Sequence, residues 1–184
     1  MAFSGLRHYP VLFFIALLWY NHAVKNRHND TAITLREITG QNLAGVLALQ
    51  VHPAQMHHIE STRECLDEAS TEARGHPAAI YAGDTLIGFA MYGAFPNWIG
   101  EGKETQVWLD RLLIDARYQG HGYGEKALAL LLETIAAAYN TDIIYLSVYG
   151  DNERAISLYA KYGFDFTGEY DTKGERVMRR CSPK

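Results

Sequence analysis

The chain has 184 residues, of which 48% are hydrophobic and 21% charged, enough for one ordinary globular domain with a sizeable core. Its formal net charge is −4; Arg7, Lys25 and Arg27 against Asp30 give the first thirty residues +2, so the remainder is acidic and lacks the basic footprint of a nucleic-acid binder. Two cysteines, Cys65 and Cys181, form neither a disulfide framework nor a metal-type spacing, and Cys65 reads as a small buried hydrophobe.

Val11 to Tyr20 is a continuous apolar run of ten residues. It is short for a bilayer span, which needs about 20. A signal-peptide core, an upstream extension and a helix on the domain surface are all open readings. Polar residues 21–30 follow and read as a linker, so residues 1–30 are expected to be an extension and 31–181 the domain.

The alternation of Ala32 to Thr39 predicts a first strand. Asn42 to Val51 and Ile59 to Ala73 are expected to be helices, the second carrying Glu60 at its start, where an acid suits the dipole. Ala78 to Ala82 and Leu86 to Gly93 predict a hairpin turning at Gly83-Asp84. Phe95 to Glu104 reads as a loop. Gln106 to Ile114 predicts a strand covered on both faces toward its end. Gly122 to Tyr139 predicts a helix with Ala127, Leu128, Leu131, Leu132, Ile135 and Ala138 on one buried stripe. A buried strand over Asp142 to Val148 follows, then a helix over Glu153 to Tyr162, capped by Asn152 or Asp151 and ended by Gly163. Phe164 to Tyr170 and Arg176 to Arg180 close the chain as a hairpin. This order fits one layered α/β domain.

Between the strand ending at Ile114 and the strongest helix lies Gln119-Gly120-His121-Gly122-Tyr123-Gly124. Glycines permit positive φ and close backbone approach, and unpaired amides at a helix start attract phosphate oxygens. The Walker pattern is excluded because Glu125-Lys126 follows Gly124. The dinucleotide fingerprint is excluded because the spacing is G-x-G-x-G. A glycine-rich connector without a ligand remains the plain alternative.

Gln119-x-x-Gly122-x-Gly124 resembles the Q/R-x-x-G-x-G/A signature of the GNAT superfamily of acetyl-CoA-dependent N-acetyltransferases. Asn152-Glu153-Arg154-Ala155-Ile156-Ser157-Leu158-Tyr159, followed by Gly163-Phe164, resembles that family's second block. The likeness covers residues 32–180. Within the superfamily it is most like bacterial spermine/spermidine acetyltransferases. That likeness rests on Ile59 to Thr62, Gly88 to Gly93, Val107 to Arg111, Arg117 to Gly120 and Gly174 to Met178.

The resemblance implies a GNAT fold: α/β (α+β in some schemes), with a twisted, mixed, mostly antiparallel sheet of six to seven strands and about four helices. It implies that backbone amides of Gln119, Gly120, His121, Gly122, Tyr123 and Gly124 hold the pyrophosphate of acetyl-CoA. Backbone groups of Leu112, Leu113 and Ile114 are implied to receive the pantetheine arm and the oxyanion. Asn152 is implied to bond the pantetheine and Tyr159 to be the general acid for the leaving thiolate. The plain alternative for Tyr159 is a core tyrosine.

An aliphatic ammonium with a pKa near 10.4 is only about 0.1% neutral at pH 7.4, so a base or relay is needed. Asp110, Glu60 and Tyr92 are candidates. Asp110 lies two residues before Leu112 and is expected on its face; a pair with Arg111 is the alternative. The expected acceptor is a small-molecule amine, foremost a polyamine such as spermidine. Other amines (an amino acid, an aminoglycoside, a protein N-terminus or lysine) and a non-catalytic acetyl-CoA-binding regulator are the competing readings. No metal, nucleic acid or membrane is expected at the domain; a homodimer and a cytoplasmic location are.

Overall fold

The computed structural model describes residues 31–71, 75–96 and 105–182. The apolar run Val11 to Tyr20 and most of the expected 95–104 loop lie outside these residues. The compact unit spans Ile33–Lys184. Among the described residues no helix is long and apolar enough to cross a membrane.

The strands are β1 (Ile33–Glu37), β2 (Gly75–Ala82), β3 (Thr85–Pro96), β4 (Thr105–Ile114), β5 (Ile143–Val148), β6 (Phe164–Tyr170) and β7 (Arg176–Cys181). The helices are α1 (Leu43–Leu47), α2 (Thr62–Thr71), α3 (Tyr123–Tyr139) and α4 (Glu153–Lys161), with short 3-10 turns at Pro53–Gln55 and Ala116–Tyr118. The seven strands form one sheet in the order β1-β2-β3-β4-β5-β7-β6. Every pairing is antiparallel except β4 with β5. This is the mixed, mostly antiparallel sheet of six to seven strands that the family resemblance implies.

Two apolar layers enclose the sheet. Val46, Leu49, Cys65 and Ala69 from α1, α2 and their flanks pack on Ala79, Tyr81, Phe89, Met91 and Leu113. On the other face, Ala127, Leu128, Leu131, Leu132 and Ile135 of α3 pack on Ile80, Ala90, Tyr92, Leu109, Ile144 and Leu146. The sheet's central strands are therefore apolar on both faces, which explains their weak alternation in sequence. Ala138 is exposed, contrary to the expected stripe, and Tyr139 packs on this core instead.

Three local departures from the sequence reading concern the site. First, β3 continues through Phe95 and Pro96, paired with Gln106 and Thr105, so the loop begins later than expected. Second, α2 begins at Thr62 and not at Ile59. Ser61 and Glu64 form a reciprocal cap: the Glu64 amide donates to Ser61 Oγ (3.3 Å) and the Ser61 amide to Glu64 Oε2 (2.8 Å). Glu60 thus precedes the helix, in the connecting segment. Third, β4 carries a bulge. Tyr92 faces Leu109 and Met91 faces Arg111, so Asp110 is an extra residue without a partner across the ladder.

Candidate active site

Strands β4 and β5 pair at one position, Trp108 with Tyr145, where the two rings stack with centroids 5.5 Å apart. Beyond it, no ladder pairing joins them among the described residues. Parallel strands joined at one end and unpaired at the other leave a cleft between their C-terminal halves. One rim is the bulged stretch from Asp110 to Ile114, which makes no ladder pair with β5 among the described residues. The other rim is Ser147, Val148 and the corner leading to α4.

The end of β4 leads into the glycine turn. Asp115 is 2% exposed and locks this junction. Its carboxylate accepts from the Arg117 amide (2.9 Å), Arg117 Nε (2.7 Å) and the Gln50 amide (3.1 Å). Burial alone would raise its pKa; the Arg117 and Gln50 hydrogen bonds outweigh that and hold it below the usual range. Gln119 Nε2 donates to the Ile114 carbonyl (2.9 Å) and to Gln55 Oε1 (2.8 Å). His121 braces the turn from outside through Nδ1 and the Gln119 carbonyl (2.9 Å).

Gly120 and Gly122 have φ of +81° and +77°, and a Cβ at either would meet nothing within 4 Å. Their glycines serve backbone conformation, not packing. Gly122 caps α3 without any side-chain bond to the first amides. Gly124 would place a Cβ 3.7 Å from Ile114 Cγ1, an ordinary contact, so the protein itself does not demand glycine there. Open space over Gly120 and Gly122 and a helix start without side-chain caps fit a pyrophosphate.

The second sequence block lies across the cleft. Asn152, not Asp151, caps α4: its Oδ1 accepts from the Ala155 amide at 3.2 Å. Asp151 turns away and pairs with His57 and His58. Lys161 at the end of α4 forms an ion pair with Glu125 in the first turn of α3, and Tyr162 Oη donates to the Glu125 carbonyl (3.2 Å). These contacts seat α4 beside the glycine turn. Tyr159 is partly buried, with its ring edge-on to Phe164 at 5.9 Å. No hydrogen bond is made by its hydroxyl among the described residues. Burial, with a smaller contribution from Glu175, pushes its pKa up to about 12.

The candidate bases are sorted by the bulge. Asp110 does not share the face of Leu112, as two-residue spacing would have it. The extra residue reverses the alternation, so Leu112 packs toward α3 while the Asp110 carboxylate turns onto Arg111. Arg111 Nε lies 2.8 Å from Glu60 Oε2, its Nη2 lies 3.5 Å from Glu68, and Lys173 pairs with Glu60. Three carboxylates thus share two cations, a formal excess of one negative charge. Burial, reinforced by Glu68 and Glu60, raises Asp110 to about 6 despite Arg111. Glu60 goes the other way: burial opposes it, but Lys173 and Arg111 lower its pKa. Tyr92 is separated from this group. It is 2% exposed on the α3 face with its ring 5.8 Å from His76, and burial pushes it up to about 12.

Sequence reasoning overlooked Glu175 as an acid of the site. It is half-buried, accepts from Ser147 Oγ at 3.0 Å, and sits close enough to raise the pKa of both Tyr149 and Tyr159. Burial raises its own pKa. The signal was present in Gly174 to Met178, which contributes to the family likeness, but nothing local marks a glutamate after a turn as facing a cleft.

Residues 43–164 match the acetyltransferase (GNAT) family. The chain is 44% identical over 147 residues to the spermine/spermidine N(1)-acetyltransferase of Bacillus subtilis (strain 168), covering 80% of this chain and 97% of that protein. Among solved structures it resembles the aminoglycoside acetyltransferase AAC(6')-Ib in complex with acetyl-CoA (TM-score 0.66, 22% identity, 82% of this chain and 93% of that one). It also resembles spermidine N-acetyltransferase from Vibrio cholerae in complex with CoA and spermine (TM-score 0.59, 20% identity, 80% and 92%). The expected fold agrees with these likenesses, the matched residues 43–164 span both sequence blocks, and the chain belongs to the acetyltransferase (GNAT) family.

Proposed function

We propose that this enzyme transfers the acetyl group of acetyl-CoA to a primary amine of a polyamine, by direct attack within a ternary complex. The observation that carries the acceptor is the 44% identity, over nearly the whole of its length, to a spermine/spermidine acetyltransferase. The acid-rich cleft wall supports it: Glu60, Glu68 and Asp110 outnumber Arg111 and Lys173, and Glu175 forms no ion pair among the described residues. A polycation is drawn to such a wall.

In this reading the amides of Gln119 to Gly124 hold the pyrophosphate. The unpaired rim at Leu112 and Leu113 receives the pantetheine as an added strand. The Ile114 carbonyl is already taken by Gln119, so Ile114 contributes through its other groups. Asn152 uses Oδ1 as the helix cap, leaving its amide nitrogen for the pantetheine.

The ammonium must lose a proton, its nitrogen then bonds the acetyl carbon, and the carbon–sulfur bond breaks. Tyr159 holds its proton at neutral pH and cannot be the base. An alkyl thiol has a pKa of about 8.5, so complete transfer from a phenol at about 12 is uphill. Tyr159 therefore acts by hydrogen-bonding the sulfur as negative charge develops there. Asp110 and Glu60 are both engaged with Arg111, so they set the field of the wall and pass protons outward through water. Glu175 is the freer carboxylate and docks the ammonium. The catalytic domain is residues 31–181, and residues 1–30 are an extension to it.

The test is a panel of amines assayed for CoA release. Spermidine or spermine should turn over best. Activity with lysine peptides or aminoglycosides and none with polyamines would sink the acceptor assignment while leaving acetyl transfer intact.

A further inference from the structure

Away from the cleft floor, one cluster has no part in acetyl transfer. His57 and His58 lie between the Pro53–Gln55 turn and Glu60, and Asp151 lies at the corner between β5 and α4. Their positions are more than ninety residues apart in sequence, as the separations of 94 and 93 show, so only the fold joins them. His57 Nε2 lies 3.3 Å from Asp151 Oδ2, and His58 Nε2 lies 3.0 Å from Asp151 Oδ1. One ligand atom from each of the three residues can be chosen so that all lie within 4.8 Å of one another.

We propose that His57, His58 and Asp151 form a binding site for one divalent transition-metal ion of the zinc and cobalt class. The donor set is the first argument. Two imidazoles and a carboxylate suit a borderline ion, and they do not suit magnesium or calcium, which prefer all-oxygen shells. Spacing is the second. Ligands about 2.0–2.1 Å from a tetrahedral zinc stand about 3.3 Å from one another; here each imidazole nitrogen already lies 3.0 or 3.3 Å from one oxygen of the shared carboxylate, and the three ligand atoms lie within 4.8 Å. The third is preorganisation. His58 is held with its side chain 11% exposed beside the Tyr149 ring, centroids 5.8 Å apart, while His57 and Asp151 are 60% and 67% exposed and leave a fourth position to water. The ion takes the Nε2 lone pair of each neutral imidazole, whose proton then resides on Nδ1; no redox step is involved.

The site takes no part in the chemistry, but its position gives it a consequence. His58 is two residues from Glu60, and Asp151 adjoins Asn152, the cap of the helix that carries Tyr159. An ion here fastens the segment that presents Glu60 to the corner that presents Asn152.

Titration of the full chain with cobalt(II) tests the site. We expect saturable binding of one ion per chain, with the visible d–d absorption of a low-symmetry site, displaced by zinc. Asp151→Asn and His58→Ala should each weaken it by more than about tenfold, the loss that even an outer-sphere partner commonly causes. His57→Gln removes a mostly solvated ligand without emptying a packed position, so it should fold normally by circular dichroism and still lose the absorption. No stoichiometric absorption in the native chain overturns the proposal. So does an unchanged titration in folded His57→Gln and Asp151→Asn, which assigns the ion to other residues.

Discussion

The side-chain amide of Gln119 donates to the backbone carbonyl of Ile114, so the first residue of the glycine turn is tied to the last residue of the strand before it. A second bond to Gln55 anchors the same amide to the Pro53–Gln55 turn. The turn is thus held by a side chain that need not touch the cosubstrate. Gln119→Ala removes two hydrogen bonds of about 1 kcal/mol each. We expect acetyl-CoA affinity to fall about tenfold, with a lower melting temperature. Calorimetry showing unchanged affinity alongside the lower melting temperature would make Gln119 a brace for the fold alone.

Gly122 separates conformation from charge. At φ +77° an alanine meets no neighbouring atom, so Gly122→Ala costs only the left-handed backbone penalty of about 1–2 kcal/mol. Gly122→Asp adds a carboxylate where the pyrophosphate is proposed to sit. Acetyl-CoA affinity should be lost in the aspartate variant and much less affected in the alanine variant. Equal affinities in the two, measured by calorimetry, would falsify the turn assignment.

The element order was legible because the strongest signals were local: the apolar stripe from Ala127 to Ile135 on α3, the Gly83 turn, and the Asn152 and Gly163 helix ends. The two blocks proposed to carry the cosubstrate were legible for the same reason, since each is one contiguous loop and helix start. The acceptor side was not. Asp110 was misplaced because a bulge is one extra residue with no composition signature, and it reverses the alternation on which the face assignment depended. Glu60 was put inside α2 although Ser61-Thr62-Arg63-Glu64 spells a capping box that would have started the helix later. Glu175 reaches the cleft only through the β6–β7 hairpin, a long-range placement that sequence spacing does not reveal.

Tyr159→Phe keeps the ring and its contact with Phe164 but removes the donor. We expect turnover to fall by about a hundredfold, within the usual range for a lost hydrogen-bond donor to developing charge, with acetyl-CoA affinity changed less than about twofold. Full turnover in this variant would leave Tyr159 as a core residue. Because its pKa is already near 12, no activity limb from this phenol should appear below about pH 9.

Asp110 gives a signed prediction in pH. Its ordinary value of 3.8 is raised to about 6 in the fold. A raised carboxyl contributes stability that is fully present below the unfolded value and is lost as pH rises through the folded one. Asp110→Asn removes this dependence. Urea unfolding should therefore show the variant improving relative to the native chain between about pH 4 and pH 7. Glu60 and Asp115 have lowered values and act in reverse, their contributions fading as pH falls. Only the difference between variant and native chain isolates Asp110, and a difference that does not change with pH would show that its carboxyl is not shifted.

Glu175 decides whether the cleft recognises charge on the acceptor. It accepts one hydrogen bond from Ser147, and its charge lies close enough to Tyr159 to raise that phenol's pKa. Glu175→Gln preserves shape and the Ser147 contact but removes the charge. A charge-assisted contact of about 1.5–3 kcal/mol corresponds to a roughly ten- to hundredfold rise in KM for spermidine, with acetyl-CoA KM unchanged. Burial raises the pKa of Glu175, so the native enzyme should lose spermidine affinity on acidification at a higher pH than an ordinary glutamate would impose, and the glutamine variant should lack that limb. An equal rise in both substrates' KM would point to a displaced β6–β7 hairpin. A fall in kcat with KM unchanged would move Glu175 from docking the ammonium to taking its proton.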